Sequence, residues 1–220
     1  MKSTVIILLM TLLSSAVVKA APLVIVADGQ ARAEIVIATN DSLARLAAEG
    51  LQTYIEKMSG AKLAIRPEQE PLSQAIGIYV GHTQKAKENR IKIPSGYDPS
   101  VREDVFKNEG YVLKTKGKHV FIAGNSDGPY RGTIFGTYAF LERLGCRWYF
   151  PGEWGEVVPQ TKTIEVEKLN VESRPDFPLR FVSPGGSYGK VSSEEHKLYI
   201  NWSDKIGFTP RAEEFYAMVG

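Results

Sequence analysis

The stretch GTIFGTYAFLERLGCRWYFPGEWGEVVP, residues 132–159, sets the terms for the whole chain. Its first half has helical periodicity. On a helical wheel Tyr130, Thr133, Ile134, Thr137, Tyr138, Phe140, Leu141 and Leu144 form a broad stripe, and Gly145 stops the run. Phe135 and Ala139 fall off that stripe, so the helix is expected to be covered on more than one side. Gly132 and Gly136 stand one turn apart, where they permit close backbone approach or merely weaken the helix. Upstream, Asn125-Ser126-Asp127 supplies cap residues and Pro129 suits a first turn. Downstream, Arg147–Phe150 reads as a short aromatic strand and residues 151–155 as a turn.

Working outward, Glu109–Thr115 and His119–Ala123 flank Lys116-Gly117-Lys118 as a hairpin. Residues 81–104 are polar and hold Pro94, Gly96 and Pro99, a surface excursion with room for one short helix. Ile76–Val80 and Lys62–Arg66 read as strands, as do Leu23–Ala27 and Glu34–Ala38 on either side of an Asp28-Gly29-Gln30 turn. Between them, Asn40 or Asp41 caps a helix that runs to about Ser59 and stops at Gly60. Leu43, Leu46, Ala47, Leu51, Tyr54, Ile55 and Met58 share one side of it. Thr163–Val166 is the last strand. Hairpin spacings and two long amphipathic helices predict an α+β fold, an antiparallel or mixed β-sheet with both helices packed on one face.

The amino end reads as an export signal. Lys2 precedes the apolar run from Val5 to Val18, and Val18-Lys19-Ala20 presents a cleavage site, so the mature chain is expected to begin at Ala21. The alternative, an uncleaved anchor, needs about 20 apolar residues, more than this run offers. The expected product is periplasmic or extracellular and free of the membrane. The precursor has 27 Lys and Arg against 25 Asp and Glu, and removing Lys2 and Lys19 balances them. A balanced surface gives no footprint for nucleic acid or anionic lipid. The single cysteine, Cys146, excludes an intrachain disulfide framework, and its apolar neighbours suit a small buried side chain.

No metal or cofactor is expected. His82, His119 and His196 are far apart and none has a second ligand at helical spacing. Gly185-Gly186-Ser187-Tyr188-Gly189 joins no strand to a helix, so it lacks the context of a phosphate loop. No nucleophile elbow or Walker sequence is present, and no catalytic residue is assigned. The strongest pointer is the aromatic segment containing Arg147, Trp148, Glu153 and Trp154. Aromatic rings stack on the apolar faces of sugars while Arg and carboxylates bind hydroxyls. The same rings also fill cores, with Trp148 and Phe150 inside and Trp154 at an interdomain seam. Both readings stay open.

The run from Gly132 to Gly152, closing with Glu156-Val157-Val158-Pro159, resembles the amino-terminal domain of bacterial α-glucuronidase-like exported proteins. With the Glu109-Gly110-Tyr111 strand, the hairpin and the helix after it, the chain is also similar to the second domain of β-hexosaminidases. After the signal peptide over 1–20, the resemblance implies an α+β domain over 21–172 and, over 173–220, the incomplete start of a barrel domain. Arg174-Pro175-Asp176-Phe177-Pro178-Leu179-Arg180 looks like the lead-in to a first barrel strand. In such families the barrel carries the catalytic carboxylates, so none can be carried over to this chain. The implied role is a non-catalytic accessory domain in carbohydrate metabolism, whose partners are a missing carboxy-terminal barrel domain and a polysaccharide. A free-standing carbohydrate-binding or protein-interaction module is the alternative. The tail is expected to find no domain of its own and to be poorly anchored.

Overall fold

The chain is described from a computed structural model over residues 21–96, 108–177, 180 and 193–208. The signal segment and the glycine-rich stretch 185–189 lie outside these residues. In chain order the elements are β1 (Leu23–Ala27), β2 (Gln30–Ala31), β3 (Ala33–Ile37), α1 (Ser42–Ser59), β4 (Ile65–Pro67), β5 (Ile76–Val80) and α2 (Gln84–Glu88). There follow β6 (Tyr111–Lys116), β7 (His119–Gly124), α3 (Gly132–Arg143), β8 (Arg147–Trp148), β9 (Glu156–Val157), β10 (Ile164–Val166), β11 (Asn170–Ser173) and α4 (Ser193–Lys205).

The main sheet has six strands in the order β11-β6-β7-β5-β3-β4. Strands β4, β3, β5 and β7 run parallel, and β7 turns back through a hairpin into β6, which pairs antiparallel with β11. The sheet is therefore mixed. Its central strands are mainly apolar because both faces are covered, with Glu34 of β3 the buried exception, paired to Arg66 at 2.7 Å. Alternate side chains divide between the faces. Ile35, Ile37, Ile78, Val80, Val120 and Ile122 pack with α1 and α3 in the larger core, whereas Val36, Tyr79, Phe121 and Ala123 pack with Ala86 and Ile91 on the other side. The two long helices thus share one face, as expected. A small antiparallel sheet, β10-β1-β2, and the β8-β9 pair complete the frame.

Helix α1 begins and ends where its sequence predicts. Asp41 accepts a hydrogen bond from the Ala44 amide at 2.8 Å, and Gly60 closes it in the left-handed region at φ 79°. Leu46 departs from the expected buried stripe and is half exposed. The start of α3 differs from expectation. It begins at Gly132, and none of Asn125, Ser126 or Asp127 caps it. Asn125 instead builds the preceding loop: its amide donates to the Gly96 and Asn108 carbonyls and its Oδ1 accepts from the Asp127 amide. Asp127 accepts from the Gly96 amide at 2.7 Å. The Arg131 amide at the helix entrance donates to Glu109 Oε1, a partner 22 residues away.

The described part of the tail is firmly attached, contrary to expectation. Helix α4 packs on α3 and brings Asp204 to Arg131 through two hydrogen bonds of 2.7 and 2.6 Å. Arg180 reaches buried Glu109 at 2.6 Å, and the Trp202 indole donates to the Trp148 carbonyl at 3.1 Å. Trp202 and Ile206 of this described part pack against the larger core.

Candidate functional site

The four residues singled out in the aromatic segment go to different places. Arg147 is exposed, and its guanidinium donates to the Glu142 and Cys146 carbonyls, so it closes the carboxy end of α3. Trp148 is buried. Its indole donates to the Tyr54 hydroxyl at 2.9 Å, and it stands edge-on to both Tyr54 and Tyr138. Glu153 and Trp154 lie on the surface in a single 3-10 turn, Glu153–Gly155, and Trp154 is 94% exposed. Phe150, which one of the two readings placed in the core, is half exposed, and Tyr149 is exposed beside it.

The turn is rigid. The Tyr149 amide donates to the Gly155 carbonyl, and the Gly155 amide donates to the Gly152 carbonyl. A Cβ at Gly155 would sit 1.9 Å from the Phe150 carbonyl oxygen, so only glycine closes this loop. Three aromatic side chains are thereby held out in solvent on a fixed backbone.

Beside the turn lies an open groove of about 1080 Å³, walled by α1, α3, α4 and the residues around Glu153. Its centre is a carboxylate that the sequence did not single out. Glu156 accepts from the Tyr54 hydroxyl, from Lys57 at 3.0 Å and from Lys205 at 2.6 Å. Burial works to raise the Glu156 pKa, but the bonds from Lys205, Tyr54 and Lys57 outweigh it and hold the group at about 2. Burial and the Glu156 charge push the Tyr54 hydroxyl well above its ordinary value, so it stays a neutral donor. Arg131 and Asp204 form the second charged pair of the wall. Tyr138 lines the groove between the two pairs.

Cys146 is fully buried, and burial followed by the Glu156 charge pushes its thiol up to about 11. It is a packed side chain against Met58 rather than a nucleophile. Among the described residues no cluster of three metal-ligating side chains occurs, and no helix is long and apolar enough to cross a membrane.

The mixed sheet with both long helices packed on one face defines an α+β sandwich domain. Residues 26–140 match the family described as Glycosyl hydrolase family 67 N-terminus, and the chain belongs to that family. Among solved structures it is similar to a family GH115 4-O-methyl-α-glucuronidase with specificity for decorated arabinogalactans. That match has 15% identity and a TM-score of 0.54, covering 83% of this chain and 24% of the enzyme. A GH20 β-N-acetylhexosaminidase from Streptomyces coelicolor A3(2) aligns at 17% identity and a TM-score of 0.43, over 73% of this chain and 25% of that one. The chain thus spans about a quarter of the length of either enzyme. Comparison with curated proteins gives no match.

Proposed function

We propose that this chain is the non-catalytic accessory domain of an exported glycoside-hydrolase-like protein acting on polysaccharide, and that a catalytic barrel domain is its natural partner. The observation that carries the reading is the match of residues 26–140 to a family described as an amino-terminal part of glycosyl hydrolases. The carboxylates support it. A glycosidase needs an accessible acid and a second carboxylate about 5–10 Å apart. Here the enclosed carboxylates are committed, Glu156 to two lysines, Asp204 to Arg131 and Glu109 to Arg180, while Glu49 and Glu153 stand exposed at the groove. Residues 1–20 serve as the export signal.

Two measurements test this. Purified mature chain should release no aryl group from glucuronide, hexosaminide or hexoside substrates above a buffer blank. Turnover that disappears on substituting one acid of this chain would overturn the accessory role. Exported material should begin at Ala21, and protein retaining Met1 in the exported fraction would reject the signal. Trp154, exposed on its glycine-closed turn, favours a second reading as a free-standing carbohydrate-binding or protein-interaction module. A reading frame that continues beyond Gly220 into a barrel domain would exclude that second reading.

A further inference from the structure

We infer that the groove between α1, α3 and α4 is a binding site for a neutral oligosaccharide segment and that it discriminates against uronates. The inference rests on the carbohydrate-associated role proposed above and assigns that role a site and a ligand class. Four cationic side chains and four carboxylates line the groove. Each of those cations has a carboxylate within 4.0 Å: Lys57 and Lys205 share Glu156, Arg131 holds Asp204, and on the exposed rim, next to the lining His196, Lys197 faces Glu194, which lies outside the wall. The other two lining carboxylates, Glu49 and Glu153, pair with no described cation.

On the groove floor, where Lys205, Glu156, Arg131 and Asp204 are enclosed, an incoming anion would have to loosen an existing pair, and at the rim it would meet the exposed Glu49 and Glu153. Separating a partly buried ion pair is costly because it strands a charge away from water. A sugar hydroxyl faces neither obstacle. It donates to Glu49 or Glu153 and needs no counter-ion.

Tyr138 adds a directional group. No described residue hydrogen-bonds its hydroxyl, which lies against Gly50, where an added Cβ would stand 3.1 Å away. Burial, then the charges of Asp204 and Glu156, keep the phenol neutral, so it can donate and accept toward a ligand. At about 1080 Å³ the groove slightly exceeds the upper end of ordinary ligand pockets, which combine apolar walls with a few fixed polar groups. The half-exposed Leu46 and Leu198 supply apolar wall.

The test uses the mature chain titrated by calorimetry with cellotriose, xylotriose and β-1,3-galactotriose, and with trigalacturonic acid as the anionic comparison. At least one neutral trisaccharide should bind saturably, and trigalacturonate at least about tenfold more weakly. Tyr138→Phe, which keeps the ring, should weaken the neutral ligand about three- to tenfold. Trp154→Ala should leave it within about twofold, since Trp154 is outside the groove wall. Preference for trigalacturonate would overturn the inference. So would binding that Trp154→Ala abolishes and Tyr138→Phe leaves intact, which would move the site to the turn. Absence of binding by all three neutral probes to folded protein would also overturn it, while the accessory-domain reading would still stand on the absence of turnover.

Discussion

At Glu156 a single carboxylate accepts from Tyr54 and from two lysines, Lys57 on α1 and Lys205 on α4, which lie on opposite sides of it in sequence. Its folded pKa of about 2 lies below the roughly 4.3 of an unperturbed glutamate, so the folded state favours the ionised form. The resulting stabilisation is fully present above the unfolded value and is lost as the pH falls through about 2. Glu156→Gln should therefore cost about 1–3 kcal/mol at neutral pH, read from urea midpoints. The gap between variant and parent should close as the pH approaches 2. A gap that does not change with pH would assign the loss to packing instead of charge. The sequence places Glu156 in a motif but does not mark it as a site residue, because its partners are 99, 102 and 49 residues away and no local pattern marks a carboxylate that gathers distant groups.

Among the elements, α3 is held so close to its neighbours that the glycine pair noticed in its sequence acquires a definite meaning. A Cβ on Gly132 would lie 2.4 Å from the Gly110 carbonyl oxygen and 2.6 Å from the Asn125 amide nitrogen, both backbone atoms. A Cβ on Gly136 would meet Tyr111 Cβ at 3.0 Å, a contact that a shift of a few tenths of an ångström relieves, unlike the backbone overlaps at Gly132. Gly132→Ala should cost at least about 2–3 kcal/mol despite its gain in helix propensity, and Gly136→Ala appreciably less. Equal thermal shifts for the two variants would contradict the close approach. Helix α1 was legible because its cap, stop and apolar period are local signals. Strand β11 was not, because Asn170–Ser173 is polar and pairs only as an edge strand on β6. The cap of α3 was misread because Asn125 and Asp127 have the right chemistry but spend it on residues 96 and 108.

For the whole molecule, the tail decides what counts as the domain. Sequence alone offered no partner for residues after 173, since the side chains that receive them are scattered over Glu109, Arg131, Trp148 and Glu156. In the folded chain these four anchor Arg180, Asp204, Trp202 and Lys205. Ending the chain at Ser173 should therefore lower the melting temperature, the reverse of what a loose tail would give. A loss of about 2 kcal/mol corresponds to roughly 4–8 °C in a chain of this size. An unchanged melting temperature would show that α4 contributes no net stability to the first core.

The placement of the tryptophans gives the molecule an optical readout of this docking. The chain has three: Trp154 stands 94% in solvent, Trp148 is buried, and Trp202 is half-buried against the Trp148 carbonyl. Aqueous acrylamide will quench the long-wavelength emission of Trp154 first and leave the blue-shifted emission of the other two. That residual signal moves to the red when Trp202 leaves its place, so detachment of α4 can be followed in unlabelled protein.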